Sequence, residues 1–119
     1  MTDSSDDAVI LFRPVGEKEL ALIRDSAYRA FPPRLPEQPI FYPVTNEDYA
    51  AQIARDWNAR DGQRGYVTRF RVRRAFLGGY RSKIVGASMH EEYWIPADDL
   101  PAFNAAIVGP IEVIAEFHG

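Results

Sequence analysis

The residue types that could do chemistry gather in one short stretch, "SMHEEYWIP", from Ser88 to Pro96. Read as a strand, it sends alternate side chains to opposite faces of a sheet. His90, Glu92 and Trp94 then share one face, and Met89, Glu91, Tyr93 and Ile95 share the other. A carboxylate beside an imidazole on so aromatic a strand fits either a solvated face or a cleft wall that needs negative charge. Three more positions carry a polar group at or beside the end of an apolar strand: Arg13 in "LFRPV", and Tyr42 and Thr45 in "FYPVTN". Each has a sufficient structural explanation alone, since a strand arginine can snorkel and Thr45 can cap the following helix.

Other chemistries find little material. Two histidines cannot build a three-histidine zinc site, and a strand turns Glu91 away from His90 and Glu92, so no metal is expected. Cysteine is absent, which removes disulfides and thiolate chemistry. No serine sits in a G-x-S-x-G turn, and the glycines of "FLGGYR" lie in neither a phosphate-loop nor a dinucleotide pattern. The row Arg69, Arg71, Arg73 and Arg74 suits a solvated face, or contact with an anionic ligand or acidic partner.

The elements that must position these residues follow from periodicity. "AVILFRPV" reads as a first strand. "GEKELALIRDSAY" spaces Leu20, Ile23 and Ala27 at helical intervals, with Glu17 and Glu19 in the first turn where the helix dipole favours acids. The prolines between Pro32 and Pro39 impose a stiff, extended loop, in which Phe31, Arg34 and Leu35 could cover a cleft. "IFYPV" is a strand that Pro43 confines to an edge or end. In "TNEDYAAQIARDWNAR", Tyr49, Ile53 and Trp57, flanked by Ala50 and Ala54, form one apolar stripe, and Thr45 or Asn46 caps the helix. "YVTRFRVRR" alternates: Tyr66, Thr68, Phe70 and Val72 face one way, and Val67 and the arginines face the other. A helical turn at "AFLGGY", one or two strands around Gly86, a short helix tolerating Pro101 near its start and a closing strand "IEVIAEFH" complete the order. Strand-rich, without regular βαβ alternation, this is an α+β chain.

At 119 residues the chain suits one domain, expected over residues 8–119 behind a disordered N-terminal tail of residues 1–7. A net charge of -3 argues against a nucleic-acid partner. No apolar run reaches the ~20 residues of a membrane span, and "MTDSSDDAV" lacks the basic start of a signal peptide, so a cytoplasmic location is expected.

An arginine on the first strand, a hydroxyl residue at a strand end before an alanine-bearing helix, and a Glu followed by "YWIP" together resemble the ADP-ribosyltransferase fold. In that fold the catalytic glutamate opens a strand, and the residue two places before it is often Glu or Gln; here it is His90. Most of the chain, Leu11 to Phe117, is similar to a small bacterial family usually labelled ADP-ribosylation/crystallin J1. The marks are "FRPVG.KEL.LI", "FPPRLPEQPIFYPV", "IARDWN", "EYWIPA" and "IVGPIEVIAEF".

The resemblance implies a split, mostly antiparallel β core with two or three peripheral helices. It implies NAD as substrate, with ADP-ribosyl transfer or NAD glycohydrolysis on an unidentified acceptor. Glu92, with His90 beside it, would be catalytic. Arg13 would hold the pyrophosphate or ribose, Tyr42 would stack on nicotinamide, and Thr45 would support Glu92 through a hydrogen bond. The alternative is a catalytically inactive nucleotide-binding or protein-interaction module of the same fold.

Overall fold

The computed structural model describes residues 7–84 and 91–119. Its centre is a three-stranded sheet in the order β1 (Ala8–Gly16), β3 (Arg64–Arg73), β7 (Glu112–His118). Both pairings are antiparallel, with Leu11 opposite Phe70 and Arg13 opposite Thr68. The expected alternation of β3 shows in burial from Phe70 to Arg73. Tyr66, Thr68, Phe70 and Val72 are buried and Arg71 and Arg73 exposed, but Val67, on the arginine face, is also fully buried in a small core with Ala50 and Ala54.

The sheet continues past the free edge of β1 through a single residue. Val44 exchanges two 2.8 Å backbone hydrogen bonds with Phe12 on one side and bridges Glu92 on the other. Its own segment begins as β2 (Ile40–Phe41), which pairs with β6 (Ile95–Pro96), while β4 (Ser82–Ile84) pairs with β5 (Glu91–Tyr93). Every pairing among the described residues is antiparallel, and the chain is α+β. Pro43, which has no N–H to donate, accepts from Tyr93 N through its carbonyl.

Helix α1 (Glu17–Asp25) buries Leu20 and Ile23 as the spacing predicts, but it stops before Ala27. Ser26 ends it: its hydroxyl donates to Ile23 O and accepts from Arg29 N and Ala30 N. The chain then turns through positive φ at Ala27 and Tyr28, leaving Ala27 exposed. The proline loop follows, and Phe31 anchors it by packing among Phe41, Phe70 and Phe103. These rings form the larger core together with Leu11, Ile23 and Ile95.

Helix α2 (Glu47–Ile53) is capped by Asn46, whose side chain accepts from Tyr49 N. It runs into a π-helical turn, Ala54–Asn58, and there the expected stripe keeps Ala54 but loses Trp57. Trp57 is 67% exposed, and the face packed on the sheet is carried by Ala50 and Ala54. The cause lies opposite, on β3. A Cβ on Gly65 would stand 2.2 Å from Ala54 O, so the turn lies directly on the strand backbone. The wider π turn leaves the residue four positions on short of a full revolution, which swings Trp57 outward. Among the described residues the remaining helical segments are the four-residue turn α3 (Arg74–Leu77), a 3-10 turn at Ala97–Asp99 and α4 (Leu100–Ala105), the last with Pro101 in its first turn.

Candidate functional site

The break in the sheet at Val44 opens a cleft of about 320 Å³ between β1, α1, the proline loop and α2. Arg13, Tyr42 and Glu92, three residues expected at a site, line it together with Glu19, Arg34 and Tyr49. Strand pairing explains the convergence. Val44 bridges β1 and β5, and this draws Arg13, beside Phe12, and Glu92, on β5, toward one opening.

Glu92 is 9% exposed and, among the described residues, receives hydrogen bonds from Tyr49 Oη at 3.1 Å and from the Trp94 indole Nε1 at 2.7 Å. The Trp94 bond spans two residues along the strand, which fits the expected sharing of one face. Burial pushes the Tyr49 phenol up to about 12, reinforced by the adjacent Glu92 charge and their hydrogen bond. Tyr49 therefore remains a proton donor to the carboxylate across the neutral range. Two neutral donors holding a carboxylate fix its position without cancelling its charge.

Arg13 is 7% exposed and already engaged. Its Nε and Nη2 donate to the two oxygens of Glu19, at 2.7 and 3.0 Å, and its guanidinium lies 4.6 Å above the Phe41 ring. The acid expected only to favour the start of α1 is thus the counter-ion of a buried arginine. Removing Glu19 would leave an uncompensated buried charge, typically a loss of about 3–5 kcal/mol.

The same cleft holds two buried polar atoms that find no hydrogen-bond partner among the described residues, Arg34 Nε and Asn58 Oδ1. Each such atom costs about 1–3 kcal/mol of desolvation. Burial, then the neighbouring Arg13 charge, moves the Arg34 guanidinium downward from its ordinary value.

Thr45 departs from its expected part. It neither caps α2 nor supports Glu92. Its hydroxyl donates to Glu91 Oε1 at 3.0 Å, and its N–H bonds Glu91 O, on the face of β5 turned away from Glu92. Ser82 Oγ completes that pair with Glu91. Thr45 therefore ties β5 to the Val44 segment outside the cleft. Asn46 takes the cap because it stands one residue nearer the first helical turn. His90 lies outside the described residues.

Sequence reading missed Glu19, Tyr49 and Asn58 as cleft residues; of the three loop residues expected to cover a cleft, Arg34 lines this one, while Phe31 is in the core and Leu35 is exposed. The available signal for Tyr49 was its hydroxyl, which an apolar stripe does not need and which seeks a partner when half-buried. Among the described residues no three His, Asp or Glu side chains gather to hold a metal, and no helix is long and apolar enough to cross a membrane. No family model, curated protein or solved structure matches the chain.

Proposed function

We propose that the cleft receives the nicotinamide–ribose portion of NAD and that the chain catalyses ADP-ribosyl transfer or NAD glycohydrolysis. The observation that supports this reading is Glu92, a buried carboxylate held by two neutral donors in the cleft that Arg13 and Tyr42 also line. In the reaction the bond from the ribose anomeric carbon to the nicotinamide nitrogen breaks, and its electron pair leaves with neutral nicotinamide. A water or acceptor oxygen forms the new bond and loses a proton. The state between is oxocarbenium-like, positive at the anomeric carbon, and a fixed carboxylate stabilises it. Tyr42, half exposed at the mouth, offers a ring for the departing base. Tyr49 keeps Glu92 aimed and adds no opposing charge.

One observation favours a second reading, an inactive nucleotide-binding or protein-interaction module. Glu19 occupies two of the donors on Arg13, which leaves that guanidinium half committed before any ligand arrives. The two readings separate in one experiment: nicotinamide release from NAD beside calorimetric NAD affinity, for the parent and Glu92→Gln. Transfer or cleavage predicts release by the parent and a loss on the order of 10²–10³ in the variant. Affinity should change little, because the anomeric carbon carries its charge only in the transition state. Binding without release selects the module; neither binding nor release refutes both.

A further inference from the structure

Two arginines reach into the cleft, and only one of them is neutralised. Arg13 has Glu19. Arg34 makes no ion pair and no hydrogen bond among the described residues, and its Nε is buried. Its guanidinium sits 5.9 Å from the Phe41 ring centroid, on the same ring that Arg13 covers, so each cation raises the cost of holding the other. The ring contact is the single interaction the described residues offer this guanidinium directly, worth about 0.5–1 kcal/mol, and no carboxylate bonds it.

The loop that carries Arg34 is nevertheless built to hold it there. At its start, Phe31 is clamped from both sides of its peptide by Asn104, whose Oδ1 accepts from Phe31 N at 2.9 Å and whose Nδ2 donates to Phe31 O at 3.0 Å. At its end, Ala97 N donates to Pro39 O at 2.8 Å. Between these anchors Pro32, Pro33 and Pro36 restrict the backbone. Across the cleft, the π turn presents the second unpartnered atom, the Asn58 carbonyl oxygen. The cleft thus offers a fixed cation with a free fork of donors, an acceptor without a donor, and the Glu92 carboxylate.

We infer that Arg34, rather than Arg13, is the residue that receives the anionic group of the ligand, and that this group is a phosphoryl group on a hydroxyl-bearing sugar. A guanidinium fork matches phosphoryl oxygens. A sugar hydroxyl supplies the donor that Asn58 lacks, and Glu92 requires the part of the ligand facing it to be uncharged or electron-poor. The inference deepens the NAD reading and rests on it for the identity of the sugar; the anion site itself does not require cleavage.

The test is calorimetric titration of the parent, Arg34→Met and Arg34→Lys with ADP-ribose, with inorganic pyrophosphate and with nicotinamide riboside, which carries no phosphate. Arg34→Met keeps the apolar stem against Phe41. It should weaken ADP-ribose and pyrophosphate on the order of 10–100-fold, the range for losing charged hydrogen bonds, and leave nicotinamide riboside unchanged. Arg34→Lys should recover part of the loss, because it keeps the charge without the fork. Thermal melting supplies a readout that a structural role would move the other way: Arg34→Met should melt at or above the parent temperature, since it removes an uncompensated charge. The inference is overturned if neither phosphorylated probe binds the parent, if Arg34→Met binds both as tightly as the parent, or if it melts well below it. Pyrophosphate binding that depends on Arg34, in a protein that releases no nicotinamide, would sink the catalytic reading and keep this one.

Discussion

The contact between the π turn and β3 can be broken with one methyl group. Gly65→Ala places a Cβ 2.2 Å from Ala54 O and 2.9 Å from both Ala54 C and Asn58 Cβ. Non-bonded heavy atoms reach their optimal separation near ~3.5 Å, so the turn must retreat from the strand by about 1.3 Å. The obstacle is backbone, and no side-chain rotation relieves it. Retreat would strain the Ala59 N to Ala54 O bond of 2.8 Å that closes the π turn, and would loosen the small core of Val44, Ala50, Ala54 and Val67. Overpacking a close-packed site costs about 1–3 kcal/mol, and the fixed obstacle puts this case near the upper end, about 3 kcal/mol. At about 4 °C per kcal/mol for a domain of this size, the melting temperature should fall by about 12 °C. Because Asn58 lines the cleft from this turn and Ile53 from the residue before it, ligand affinity should fall as well. Circular dichroism melting of Gly65→Ala measures the first effect, with Gly78→Ala as control. Gly78 has φ near -60° and its added Cβ meets nothing closer than 3.5 Å, so that change should be neutral or stabilise by about 0.4–1 kcal/mol. A Gly65→Ala protein melting within about 2 °C of the parent would refute the close contact and, with it, the reason given for the π turn.

Two further expectations test the same region. Trp57→Ala should change stability by no more than about 0.5 kcal/mol, as for an exposed side chain, and a melt showing the loss of several kcal/mol typical of a buried tryptophan would return Trp57 to the core. The Tyr49 phenol, raised to about 12 in the folded state from an ordinary value of 10.0, contributes stability that is complete below pH 10 and disappears as the pH rises toward 12. Burial and Asp99 also push the Tyr80 phenol upward, so ultraviolet titration of tyrosinate should lose one of its late-ionising steps in Tyr49→Phe and keep the rest; the same late titration in parent and variant would contradict the Tyr49–Glu92 bond.

The strands were legible where one face is buried and the other solvated. In β3 the period of two separates Phe70 and Val72 from Arg71 and Arg73, and burial follows it there, whereas residues 65–68 are buried on both faces because the helix of Ala50 and Ala54 covers Val67. Helix α1 was legible up to Ile23, where packing follows the 3.6 period, and illegible at its end. There Ser26 offers the backbone its own hydrogen bonds in competition with another helical turn. The stripe of α2 misled for a non-local reason. Helical spacing assumes uniform winding, and the winding of Ala54–Asn58 is set by a glycine on β3, several residues away in sequence. No property of the helix's own residues announces it.

The candidate site divides along the same line. Glu92, Arg13 and Tyr42 could be picked out because each interrupts an apolar strand, and such an interruption is a local signal. Their partners could not, because a partner is defined by where the strand next lies. Glu19 looked like an ordinary acid in a first helical turn, and only the folded chain brings its carboxylate within 2.7 Å of Arg13. Thr45 and Glu92 looked matched, yet Thr45 pairs with Glu91, since the bridge at Val44 fixes the register and a shift of one residue reverses the face. Tyr49 takes the place beside Glu92 that Thr45 was expected to fill. That exchange has a chemical consequence. A phenol raised toward 12 stays protonated across the neutral range, so it donates to the carboxylate without placing a second charge beside it.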